Sequence, residues 1–122
     1  NAPLDQQSLG PEKVLNAITA TSTSTALSVK DKKTISIAVD ASSTTTGNGA
    51  DLEVLGSPTY DGDDFGNVGF VSADGTLQTL KTIDSNETQF FEIVNAANIP
   101  RIKVKLTVTD GTFTVYANGG AL

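Results

Sequence analysis

Hydrophobic residues fall at every second position through much of this chain. In Arg101-Ile-Lys-Val-Lys-Leu-Thr-Val108, Ile102, Val104, Leu106 and Val108 alternate with Arg101, Lys103, Lys105 and Thr107. A period of two puts successive side chains on opposite faces, so this segment is a strand with one buried side. Asp110-Gly111 follows, a dipeptide suited to the two φ > 0 positions of a type I′ turn, and Thr112 to Tyr116 alternates again. The pattern predicts a β-hairpin closing the chain.

The same grammar runs upstream. Thr34 to Asp40 places Ile35, Ile37 and Val39 on one face, and Ala50 to Leu55 places Leu52 and Val54 inward with Asp51 and Glu53 outward. Val68 to Val71 is expected as one short strand and Thr76 to Ile83 as another, the latter with Leu77 and Thr79 on one face. Thr88 to Val94 carries Phe90, Phe91 and Ile93. Glu12 to Ala20 fits a strand better than a helical turn, because it leads into β-prone sequence; Ala26 to Val29 is a short strand. Thr21 to Thr25 is a polar linker, and Ala41 to Gly49 and Gly56 to Asn67 are loops, Pro58 barring a central strand in the second. The expected core runs through Ile35, Ile37, Val39, Leu52, Val54, Phe91, Ile93, Ile102, Val104, Leu106, Val108, Phe113 and Val115. About eight or nine short strands at regular turn spacing imply an all-β fold. It is read as a single antiparallel β-sandwich, jelly-roll or Ig-like, over residues 12–122, preceded by an extended arm over residues 1–11. The arm is polar apart from Leu4 and Leu9, which are its candidate interface residues.

Composition narrows the chemistry. The 122 residues suffice for one domain with a real core. There is no His, Cys, Met or Trp, which removes disulfides, thiolate metal sites and thiol nucleophiles together. The net charge is −6 with eight basic residues, too few for a phosphate-binding stripe. Arg101, Lys103 and Lys105 share one strand face and are read as a solvated, edge-protecting set, so no nucleic-acid partner is expected. No apolar run approaches the about 18 residues of a membrane span, so no membrane partner is expected either. Asn1 stands where an initiator Met would, which favours a processed or trimmed start.

Candidate sites are sparse. Asp61-Gly-Asp-Asp64 is the one metal-like run, with Asp61, Asp63 and Asp64 as calcium candidates. A calcium site wants six or more oxygens, and the EF-hand spacing with its terminal Glu is absent, so the run is read as a loop without metal. Glu12, Glu53, Glu87 and Glu92 fall on outer faces or turns, where no pair of acids is set for hydrolysis. Ser and Thr nucleophiles have no His as a base, and no Ser-x-x-Lys occurs. Tyr60, Phe65, Phe70 and Tyr116 could form a sugar-binding platform, but core packing and loop anchoring are the commoner fates of such residues. No catalytic residue, cofactor-binding residue or cofactor is assigned.

One order of segments resembles a known kind of protein. Thr34-Ile-Ser-Ile-Ala-Val39 is followed by Leu52-Glu-Val-Leu-Gly-Ser57, an Asp-Gly-Asp loop, Leu77-Gln-Thr-Leu80, and Ile99-Pro-Arg-Ile-Lys-Val-Lys-Leu106. This pattern, over roughly Ser24 to Asn118, is similar to small β-sandwich structural proteins of tailed bacteriophages that decorate or cement capsids or sit in tails. The resemblance implies a non-enzymatic virion protein, homo-oligomeric and in contact with other capsid or tail proteins; it carries over no functional residue. The alternative is a secreted or cell-surface β-sandwich, either a fibre or pilus subunit or a carbohydrate-binding module.

Overall fold

The structure, a computed structural model, describes residues 11–29 and 32–120. Strands β1 (Glu12–Ile18), β2 (Ser22–Thr23), β3 (Leu27–Ser28), β4 (Thr34–Ser42), β5 (Ala50–Ser57) and β6 (Gly66–Val68) come first. They are followed by β7 (Phe70–Ser72), β8 (Leu77–Gln78), β9 (Lys81–Ile83), β10 (Thr88–Ile93), β11 (Arg101–Val108) and β12 (Thr112–Gly120). The only helical element among the described residues is a 3-10 turn at Ala96–Asn98. All strand pairs among the described residues are antiparallel. The first sheet has the order β1-β12-β4-β10-β7-β8. The second has β2-β11-β5-β6, with β3 also on β11 and β9 also on β5. The two sheets pack as a sandwich.

The alternating residues meet between the sheets. Ile35, Ile37, Val39, Phe113 and Val115 of the first sheet face Leu52, Val54, Ile102, Val104 and Leu106 of the second, all fully buried. Phe70 and Phe91 pack edge to face, with ring centroids 5.5 Å apart. Of the expected core, Val108 alone is only partly buried, at the end of its strand.

The terminal hairpin does not form. β11 pairs with β2, β3 and β5, and β12 with β1 and β4, so the two strands lie in opposite sheets. Asp110-Gly111 is the arch between them. Only Gly111 has positive φ (106°), whereas a type I′ turn needs it at both positions. Alternation identifies an inward face but not the neighbour, and two strands facing each other across a core read the same as two lying side by side. The arch is fixed by contacts distant in sequence. The Gly49 carbonyl accepts from the amides of Thr109 (2.8 Å) and Asp110 (3.1 Å), and the Thr45 hydroxyl donates to the Asp110 carboxylate at 2.6 Å. Gly49 itself is wedged so tightly that a Cβ would lie 1.8 Å from the Ile83 carbonyl oxygen.

Two other expected strands split the same way. Val68 to Val71 breaks at Gly69, β6 belonging to the second sheet and β7 to the first. The Gly69 carbonyl, left out of both ladders, accepts from the Val94 amide at 3.0 Å. Thr76 to Ile83 divides into β8 in the first sheet and β9 in the second, and its Leu77 and Leu80 are exposed rather than shared with a core face. The polar linker at Thr21 to Thr25 is also more than a linker. Ser24 is buried; its amide donates to the Val104 carbonyl (2.8 Å), and the Val104 amide donates to the Ser24 hydroxyl (2.9 Å). A serine side chain thus completes the ladder where β2 ends.

Candidate functional site

The outer face of the second sheet is charged, and its acids are hydrogen-bonded within it. Its opposed pairs are Lys105–Glu53, Thr107–Asp51 and Lys103–Leu55. Asn67 donates to Glu53 at 2.8 Å and Thr82 to Asp51 at 2.8 Å. Arg101 and Lys103, expected only to solvate this face, hold down the loop 58–65. The Arg101 guanidinium donates to the carbonyls of Thr59 (3.0 Å) and Gly62, and both cations lie over the Phe65 ring, at 5.1 and 4.2 Å from its centroid. Ser57, buried beneath, donates to the Thr59 carbonyl at 3.1 Å. Between this loop and Asn98–Ile99 lies an open groove of about 560 Å³.

The calcium candidates are on that loop. Because Arg101 engages backbone carbonyls, the side chains of Asp61, Asp63 and Asp64 stay exposed. Among the described residues no group of three acidic side chains is placed to hold a metal ion. The other acids are also dispersed: Glu53 lies outside the second sheet, Glu92 outside the first, Glu87 in the turn before β10, and Glu12 at the start of β1. The four aromatics considered for a platform do not assemble. Phe70 is in the core, Tyr60 and Phe65 sit on the clamped loop, and Tyr116 is outside the first sheet. Leu4 and Leu9 lie outside the described residues.

The outer face of the first sheet is different. Residues directly opposite each other in an antiparallel pair share a face. Lys13, Tyr116, Ala38 and Phe90 therefore form one row across β1, β12, β4 and β10. Phe90 is 62% exposed and Tyr116 37%, with the Lys13 ammonium 5.9 Å from the Tyr116 ring centroid. The adjacent row ends in Val71 and Leu77, the latter 66% exposed. Sequence reasoning missed this row. Its signal was present in Phe90-Phe91: with period two, only one of two adjacent phenylalanines can face the core.

At the β7–β8 turn, Asp74 accepts from the Ser72 hydroxyl and from the Thr76 amide (3.1 Å). These bonds hold its carboxyl at about 2, below the usual 3.8.

No family model and no characterised relative matches the chain in sequence. In structure it is similar to the SPBc2 prophage-derived protein YomS. The TM-score is 0.70, over 89% of each chain, at 15% identity. At that identity the likeness is one of fold.

Proposed function

We propose that this chain is a non-enzymatic structural protein of a phage particle, acting as a capsid decoration or cement protein. The observation that carries the reading is the likeness in fold to a prophage-derived protein across 89% of both chains. Two features support it. The acidic side chains are dispersed over separate surfaces, and the chain contains neither His nor Cys to serve as base or thiol nucleophile. The sandwich is rigidly built and presents two extended sheet faces, which suits a subunit that works by contact. Its partners in this reading are further copies of itself and other capsid or tail proteins.

The segment before β1 is the joining element in this proposal, with Leu4 and Leu9 as anchors on a neighbouring subunit. Extended arms gain order by pairing their backbone on a neighbour, and a few apolar anchors offset the entropy of ordering. Quantitative mass spectrometry of purified particles tests the function: the protein should be present at stoichiometric copy number. Absence from particles, with recovery in a cell-envelope fraction, would replace this reading by a surface-protein one. Deleting residues 1–10 should weaken incorporation while leaving the sandwich folded; normal incorporation would remove the arm from the account.

A further inference from the structure

We infer that the outer face of the first sheet is a self-association surface whose occupant is the same face of a second copy, related by a half-turn about the Tyr116–Ala38–Phe90 row. This goes beyond the particle reading and stands on the sheet alone.

The argument begins with what flanks the row. On β4 the outward residues are Ser36, Ala38 and Asp40; on β10 they are Glu92, Phe90 and Thr88; on β12 they are Asn118, Tyr116 and Thr114. In each strand the central residue is apolar or aromatic. One flank is a hydroxyl and the other a carboxylate or amide. A half-turn about the row exchanges the flanks. It sets Asp40 over the second copy's Ser36, Glu92 over its Thr88, and Asn118 over its Thr114. Each of the three strands thus places a hydroxyl opposite an oxygen acceptor, the Thr88 hydroxyl turning to the second copy from a long 3.3 Å bond to Asp40 of its own sheet, while Phe90, Ala38 and Tyr116 meet their own counterparts. Sheets packed face to face stand about 10 Å apart, which leaves room for two layers of such side chains.

The alternative half-turn, about an axis along β4, would set Asp40 against Asp40 and bury like charges, which is unfavourable. The chosen arrangement has one repulsive contact. Lys13 continues the row on the edge strand β1, so it meets its own copy there, at a solvated rim where a lysine can swing into water. The outer face of the second sheet offers no such match, because Glu53 and Asp51 already accept from Asn67 and Thr82 of their own sheet and Arg101 is committed to the loop 58–65.

Size sets the strength. Six strands about 4.8 Å apart, averaging about six residues that rise about 3.3 Å each, make a face on the order of 500 Å². That is below the about 800 Å² per partner of a standard stable interface. The association is therefore reversible and concentration-dependent.

Sedimentation velocity on the full chain, up to about 1 mM, where a contact of millimolar strength or better is populated, tests this. The wild type should pass from monomer to dimer. Phe90→Lys should remain monomeric throughout with an unchanged melting temperature, because Phe90 is exposed in the single chain. Thr107→Lys, outside the second sheet, should dimerise like the wild type. Lys13→Gln should dimerise more tightly, by relieving the rim repulsion. A wild type that stays monomeric, a dimer that survives Phe90→Lys, or a Thr107→Lys variant that loses it overturns the assignment of this face. A dimer left unchanged or weakened by Lys13→Gln overturns the half-turn about the row.

Discussion

The two outer faces of this sandwich obey one alternation and end up chemically opposite. Outside the second sheet, Lys105 stands opposite Glu53 in the register, and Arg101 and Lys103 lie over the Phe65 ring. Outside the first sheet, Phe90, Ala38 and Tyr116 run as an uninterrupted row, with the hydroxyls and the carboxylates of Asp40 and Glu92 set to either side of it. Period two specifies that a strand has an outside but not what that outside is for. Chains that act alone in water seldom leave a contiguous apolar patch uncovered. The difference between the faces, rather than the shared core, is therefore where function is to be sought.

Perturbations should separate what both faces share from what each owns. Val104 is fully buried beneath the second sheet, opposite the first. Val104→Asp should cost at least about 4 kcal/mol by burying an unpaired charge. Loss of the folding transition in a thermal melt checks this; a variant that melts like the parent would mean that the register of β11 is wrong. Gly49→Ala comes next, at about 3 kcal/mol, because the added Cβ cannot coexist with the Ile83 carbonyl, and moving residue 49 away from it shifts the residue-49 carbonyl that accepts from the Thr109 and Asp110 amides. Its melting temperature should fall clearly below that of Gly66→Ala, where no neighbouring atom lies within 4 Å of the new methyl.

Arg101→Ala probes the second face alone. It removes the bonds to Thr59 and Gly62 and should cost about 1–2 kcal/mol. Faster hydrogen exchange confined to the loop 58–65 would be its signature, and unchanged exchange there would show that the clamp contributes nothing. Phe90→Ser probes the first face and should change the stability of the single chain by no more than about 0.5 kcal/mol, measured by chemical denaturation at low protein concentration. The smallest effect belongs to Asp74. Its carboxyl is lowered from 3.8 to about 2 by the Ser72 and Thr76 hydrogen bonds. Its small contribution is thus present above pH 4 and lost as pH falls through about 2. An NMR titration should place its midpoint near 2, moving toward 3.8 in Ser72→Ala.

Much of the fold was written in the alternation, and the omissions share one cause. Ile35, Ile37, Val39, Leu52, Val54, Ile102, Val104 and Leu106 are buried as their spacing requires. What alternation lacks is the identity of the neighbour. Asp110-Gly111 looks like a hairpin turn because turn chemistry is local, while the bonds that make it an arch come from Thr45 and Gly49, some sixty residues away in sequence. Gly69 and the Thr79–Leu80 break carry no signal that one strand continues in the opposite sheet. The first-sheet row of Lys13, Tyr116, Ala38 and Phe90 joins four segments whose adjacency only the topology supplies. Ser24 was passed over because a serine in a polar run gives no hint that its hydroxyl will serve as a backbone carbonyl does.

The position of β12 has a consequence for the order in which the molecule can be made. This strand lies inside the first sheet, between β1 and β4, so among the described residues β1 has no partner strand in that sheet until Thr112–Gly120 exists. Among the described residues, only β5–β6 and β7–β8 join strands adjacent in sequence; every other pairing spans intervening elements. A chain emerging from the ribosome can pair the second sheet and β4-β10-β7-β8 once Val108 is out, but the first sheet is complete only when Gly120 has cleared the exit. Folding dominated by such distant pairings is slow. Translation arrested before Thr112 should leave a product that proteases and chaperones treat as unfolded, whatever the length already synthesised.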